Sequence, residues 1–313
     1  MVSAGRLVVR HYTFVDHATQ GYTGLVVVLI ALFHNSTVPH WGLLLGAHAS
    51  ILFIVHVLIE WHGRGTPNKA VDFLRHFYPV LLYTFFFCET GMLNRMFFAD
   101  YLDPMVIRWE QALFGGQPSV VFMQELPYLA VSELFYASYF SYYVMISGVG
   151  IALFIRNREQ FFHYVSVISF IFYVCYLIYI FIPVIGPRVF FREIAGYNLS
   201  ADLQQLAVVD YYPQSIESGP FFHLMAWIYR TFESPGAAFP SSHVAIALCT
   251  VYFSFLYLRK IRFLHLAVAV LLCLATVYCR YHYAVDVLGG VLTAVLLLPI
   301  GNHLYRTFER SRS

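Results

Sequence analysis

The chain has 313 residues, of which 59% are hydrophobic, 19% aromatic and only 12% charged. A soluble domain carries about a quarter of its residues as Asp, Glu, Lys and Arg, so this composition excludes a soluble globular protein and specifies an integral membrane protein. The formal net charge of +2 is too small, and the basic residues too scattered, for a nucleic-acid-binding surface.

A helix needs about 20 mostly apolar residues to cross the hydrocarbon of a bilayer. Eight segments meet that need in chain order: 20–37, 41–61, 74–94, 131–155, 161–183, 239–258, 262–280 and 283–304. The expected fold class is therefore all-α integral membrane, with about eight transmembrane helices. The first segment is the weakest, its apolar run ending at His34-Asn35-Ser36. No short apolar core with a small-residue cleavage site precedes it, so it is expected to serve as an uncleaved signal-anchor. Two long connections separate the spans. Residues 95–130 contain Leu102-Asp103-Pro104 and Trp109-Glu110-Gln111-Ala112-Leu113-Phe114-Gly115-Gly116; residues 184–238 contain Tyr211-Tyr212, Phe221-Phe222 and Trp227. Apolar yet broken by glycine and proline, both read as amphipathic helices lying on the membrane. No internal repeat or linker is evident, so 1–313 reads as one domain, with accessory spans in 1–94 and a catalytic helical core in 131–304.

The lysines and arginines orient the spans. With the N-terminus inside, 13 of the 19 fall in inner segments, including Arg64, Lys69, Arg156, Arg259 and Arg306. Arg95, Arg108, Arg188, Arg192, Arg230 and Arg280 fall in outer ones. By the positive-inside rule, both termini are expected in the cytoplasm. The five cysteines (Cys88, Cys175, Cys249, Cys273, Cys279) contain no CxxC pair and lie mostly in apolar runs, which suits packing rather than metal or disulfide roles.

Two strings carry chemistry: Pro240-Ser241-Ser242-His243 and, 39 residues beyond that histidine, Arg280-Tyr281-His282-Tyr283-Ala284-Val285-Asp286. An ionised side chain at mid-membrane costs about 2.5–3.5 kcal/mol on the insertion scale, so such residues are functional candidates by default. Both strings sit where an apolar span begins. His243 and His282 are then expected at helix N-termini on the same side, where unpaired N–H groups and the helix dipole attract anions such as phosphate. Arg188, after Ile185-Gly186-Pro187, and Arg280 emerge on that side too. His282 and Asp286, four apart, are expected on one helical face, where the carboxylate fixes the imidazole tautomer and leaves the other nitrogen nucleophilic. Ser241 suits a helix cap and Ser242 a phosphate oxygen. Glu89 and Glu133, in or beside apolar spans, are left between a substrate headgroup and an ion pair such as one with Arg95. Other histidines, among them His48, His56, His163, His223 and His265, follow no ligand spacing and read as structural.

Gly186-Pro187-Arg188, the Pro-Ser-Ser-His string and the Arg-Tyr-His-Tyr-Ala-Val-Asp-Val-Leu-Gly-Gly string together resemble the three motifs of the type 2 phosphatidic acid phosphatase superfamily, which includes the vanadium haloperoxidases. The resemblance covers about 160–304, and more weakly Leu113-Phe114-Gly115-Gly116-Gln117-Pro118 and Glu133-Leu134-Phe135-Tyr136. It implies that His282 attacks phosphorus to form a phosphohistidine, with Asp286 orienting it. His243 would protonate the leaving alkoxide and then activate water or an alcohol, while Arg188, Ser242 and Arg280 hold the phosphate oxygens. It implies no metal and no other cofactor. The chain departs from the pattern where Phe181 and Thr276 replace a lysine and an arginine and Val189 replaces a proline, which resembles the branch containing the inositol phosphorylceramide synthases. The expected function is a lipid phosphate phosphohydrolase acting on the extracytoplasmic face, the alternative a headgroup phosphotransferase with an alcohol acceptor. A non-enzymatic lipid-binding membrane protein is the third reading.

Overall fold

The computed structural model describes residues 11–65, 68–192, 212–232 and 234–310. Arg6, Arg10, Arg312 and the aromatic stretch at Tyr211 lie outside them, as does 193–211 of the second connection. Thirteen helices occur among the described residues: α1 (Phe14–Phe33), α2 (Trp41–Arg64), α3 (Lys69–Leu93), α4 (Asp103–Phe114), α5 (Pro118–Glu125), α6 (Leu129–Arg156), α7 (Arg158–Phe181), α8 (Pro187–Phe190), α9 (Gln214–Glu217), α10 (Pro220–Phe232), α11 (Ser242–Tyr257), α12 (Arg262–Tyr278) and α13 (Ala284–Arg310). They contain no strand, only an isolated parallel bridge between Val184 and Ala237.

A helix stands at each of the eight expected spans. Five of them, α1, α2, α6, α7 and α13, are both long and apolar enough to cross a bilayer; α11 and α12 are apolar but shorter. α3 has the length, at 25 residues, but carries Asp72, Arg75 and Glu89. The ends shift where capping overrides hydropathy. α1 starts at 14 rather than 20 because Asp16 accepts the backbone N–H of Thr13 at 2.6 Å and its hydroxyl at 2.8 Å. α3 starts at 69 rather than 74 because Asn68 accepts the N–H of Val71 at 2.9 Å. Asn157 ends α6 and caps α7 through the N–H of Gln160, so the two helices turn back on each other within one residue.

α7 is the axis of the bundle. Apolar and aromatic around most of its circumference, it belongs in an interior, and it packs against α1, α3, α6, α11 and α13. The charges on α3 are answered by its neighbours. Arg75 pairs with Asp16 of α1 at 2.5 Å, and Tyr78 donates to the same carboxylate at 2.5 Å. Glu89 pairs with His48 of α2 at 3.1 Å, both fully buried, rather than with Arg95 or the C-terminal histidines. Of the amphipathic helices, α10 buries Met225 and leaves Trp227 and Phe232 exposed, the pattern of a helix resting in the interface.

Removing one member of a buried ion pair strands the other. Arg75→Met is expected to destabilise the protein by about 3–5 kcal/mol, read as a lowered thermal midpoint in detergent. An unchanged midpoint would remove the pair from the account of how α1 and α3 dock.

Candidate active site

Three separate segments are drawn together by backbone contacts. After α7, Val184 and the segment before α11 pair: Ala238 N–H donates to the Val184 carbonyl at 2.9 Å and Val184 N–H to the Gly236 carbonyl at 3.3 Å. Gly186 follows at φ +91°, and a Cβ there would lie 2.9 Å from the Tyr281 carbonyl oxygen and 3.3 Å from Ala238 Cβ. Glycine is required on both counts, conformation and space. On the other side, Ser241 N–H donates to the Asp286 carbonyl at 3.0 Å, and a Cβ on Gly290 would come within 2.5 Å of the Ser241 carbonyl. Arg188, His243 and His282 are thereby carried to one end of the bundle, where α7 finishes and α11 and α13 begin.

The two histidines face each other, with His282 Nε2 at 3.3 Å from His243 Nδ1. His282 does not lie on α13, as its four-residue spacing to Asp286 suggests. Arg280 takes a left-handed conformation at φ +61°, the N–H groups of Tyr281 and His282 turn back to the Thr276 carbonyl at 3.1 and 3.0 Å, and α13 starts only at Ala284. Asp286 reaches back from the first turn, accepting the N–H of Tyr283 at 2.8 Å and standing 3.4 Å from His282 Nδ1. The shorter bond from Nδ1 runs to the Ala238 carbonyl, at 2.9 Å. Because a carbonyl only accepts, Nδ1 carries the proton and Nε2 presents its lone pair toward His243. The backbone just before Pro240 therefore shares with Asp286 the holding of this ring that was expected of the carboxylate alone. Burial pushes the His282 imidazole down to about 4, against the pull of the Ala238 bond, so it is neutral at pH 7.

Ser241 caps α11, accepting the Val244 N–H at 3.4 Å. Ser242 is buried, and its N–H donates to the Tyr179 hydroxyl at 3.1 Å. Arg188, half-buried, lays its guanidinium 5.1 Å from the ring of Tyr229 and 5.4 Å from that of Tyr281. Tyr281 stacks on Tyr139, which lies 5.1 Å from the His243 ring, so an aromatic wall joins the arginine to the histidines. Arg280 is fully buried, and its Nη2 donates to the Val120 carbonyl at 3.0 Å.

A protein-family model described as the PAP2 superfamily matches residues 104–300, well over half the chain. The chain belongs to the PAP2 superfamily. No curated protein and no solved structure matches it. As a PAP2 protein with several apolar helices long enough to span a bilayer, it is an integral membrane protein of a phosphatase family. The matched stretch begins on α4, well upstream of Pro240-Ser241-Ser242-His243.

Two carboxylates on α4 that spacing alone did not single out also belong to this end of the bundle. Asp103 accepts the N–H groups of Ile185 and Gly186 at 2.8 and 2.9 Å and the Tyr283 hydroxyl at 2.8 Å, joining the arginine loop to the histidine loop. Glu110, two turns along the same face, accepts the N–H of Ala284 at 2.6 Å and the Ser119 hydroxyl at 3.1 Å. The available signal was a pair of acids seven apart in an apolar stretch. Burial raises both carboxyls to about 7, and the nearby Asp286 adds to the rise in each. Glu133 has a different task, accepting the N–H groups of Phe221 and Phe222 at the start of α10. Far from the site, His62, Asp72 and His76 bring potential ligand atoms within 4.8 Å of one another, from two helices and hence without a spacing signal. Arg158 stands 3.6 Å from that aspartate and answers its charge.

Asp103→Ala leaves three buried donors without their acceptor and is expected to cost about 3 kcal/mol or more, seen as a lowered thermal midpoint. A midpoint within a degree of wild type would show that Asp103 is not the tie. The folded chain also holds the Asp103 and Glu110 protons more tightly than the unfolded chain, where carboxyls titrate at about 4. Their contribution to stability is full below about pH 4 and is lost as pH rises through about 7. The midpoint should fall over that interval, and less steeply in Glu110→Gln.

Proposed function

We propose that this PAP2 protein is a membrane enzyme that cleaves a lipid phosphoester through a phosphohistidine on His282. The observation that carries the reading is the meeting of His282 Nε2 with His243 Nδ1 at 3.3 Å, beside the N-terminal ends of α11 and α13. Nε2 attacks phosphorus as the bond to the lipid oxygen breaks. His243 delivers a proton to the departing alkoxide, then takes one from water as the phosphohistidine is hydrolysed. Arg188, Ser242 and Arg280 hold the phosphate oxygens and stabilise charge in the transition state. Asp286 and the Ala238 carbonyl hold the attacking ring. No step calls for a metal or other cofactor.

The basic residues support an arrangement with both termini cytoplasmic, eight crossing helices and the site on the extracytoplasmic side. Helices within 1–94 serve as accessory spans to a catalytic core in 131–304, the whole forming one domain. The departures at Phe181, Val189 and Thr276 favour a second reading, that of a headgroup phosphotransferase of the inositol phosphorylceramide synthase-like branch. There an alcohol takes the place of water in the second step. A non-enzymatic lipid binder is the reading that intact His243, His282 and Asp286 argue against.

Purified protein with a chelator present should release inorganic phosphate from lipid phosphates, and His282→Ala should lower that rate by at least about 10³-fold, the scale on which one member of a nucleophile–base unit is felt. Phosphorylated alcohol formed in place of free phosphate would select the transferase. Release unaffected by His282→Ala would refute the mechanism. Because attack needs neutral His282, the acid limb of kcat/KM should lie near pH 4, below the about 6.5 of an ordinary histidine. A limb at 6.5 or above in the free enzyme would contradict the assignment.

A further inference from the structure

The space below the histidines is a groove. α7 forms its floor from Tyr176 down to Phe161, α3 and α6 form its sides, and His243, Ser242 and Tyr229 close its upper end. Among the described residues no Asp, Glu, Lys or Arg lines it. At the far end Phe77, Phe154 and Phe161 meet edge to face or tilted, with ring centroids 4.8–5.2 Å apart, and form a plug. Val80 and Ile151, both exposed, mark its lateral opening toward the hydrocarbon. The fifteen residue steps from Tyr176 to Phe161 span about 22 Å of helix, somewhat more than the roughly 15 Å depth of one leaflet. The cavity volume of about 560 Å³ holds roughly 18 methylenes if each takes about 30 Å³, the share of a water molecule in the liquid.

We propose that this groove binds one long hydrocarbon chain of the phosphoester substrate, with the phosphate at His282 and the chain end against the three phenylalanines. The proposal rests on the catalytic reading above and adds to it a substrate class: phosphorylated lipids that insert a single chain of about 16–18 carbons. Continuity decides the occupant, since the cavity that reaches His243 and Ser242 at one end is lined by no charged side chain among the described residues and is open to lipid at its side. Gly150, lining the groove about 12 Å below Tyr142, is the narrowest residue at that depth. A Cβ there meets only Tyr164 at 3.6 Å, an ordinary contact, so a larger side chain fits the backbone and intrudes on the groove.

The test is a series of linear alkyl phosphates from 8 to 20 carbons, offered to detergent-solubilised wild type, Gly150→Leu, Phe77→Ala and His282→Ala. Turnover and the ligand-induced rise in thermal midpoint are both read. In wild type both should improve with length and level off near 16–18 carbons. Gly150→Leu should move the optimum shorter by roughly four carbons, and Phe77→Ala should move it longer. His282→Ala should keep the wild-type stabilisation profile without turnover. Profiles of both groove variants that superimpose on wild type, each variant folding as judged by its ligand-free midpoint, would overturn the proposal even if His282→Ala abolishes turnover. A stabilisation profile that shifts as described, with no turnover in wild type, would uphold the groove and refute hydrolysis.

Discussion

A charged or strongly polar group held away from water must find its partner within the protein, and in this chain that requirement governs where the segments meet. Asp103 is the clearest case. With its carboxylate fully buried, it takes two N–H groups from the arginine loop and a hydroxyl from the histidine loop, so satisfying one side chain fixes two motif segments relative to each other. Glu110 does the same for the first residue of α13. The same rule operates at a distance from the site, where Asp16 draws Arg75 and Tyr78, and Glu89 draws His48. Apolar packing alone, being non-directional, would hold the helices together without setting the angstrom-scale register that two facing imidazoles need.

Backbone contact supplies the rest of that register. Gly186 and Gly290 sit where one segment touches another with no room for a side chain, and the Ser241-to-Asp286 and Ala238-to-Val184 bonds run between motif segments. The Ala238 carbonyl then serves the site directly by holding His282 Nδ1. A carbonyl and a carboxylate converging on one ring is a tighter restraint than the carboxylate alone. The aromatic wall of Tyr139, Tyr229 and Tyr281 completes the enclosure and carries Arg188 alongside the histidines.

Much of the fold was legible because hydropathy is local: every apolar span expected from sequence corresponds to a helix, and misplaced ends such as those of α1 and α3 trace to caps whose polar residues lower the apolar average. The grouping of Arg188, His243 and His282 at one end also followed from counting spans. What did not follow was long-range pairing. Asp103 lies 82 positions from Ile185 and 180 from Tyr283, and nothing local distinguishes it from an interfacial acid. Glu89 and Glu133 were equally opaque, one an ion-pair partner and the other an acceptor at the start of α10. The spacing of His282 and Asp286 suggested a shared helical face, whereas the left-handed turn at Arg280 delays the helix and leaves the histidine on a loop.

The central claim is that His282 becomes covalently phosphorylated. The most direct measurement is to mix the purified enzyme with a lipid carrying a radiolabelled phosphate, quench in alkali, where phosphohistidine survives, and locate the label by peptide mapping. The account predicts label on the peptide containing His282 in wild type and none in His282→Ala. Turnover without label, or label that persists in His282→Ala, would contradict it.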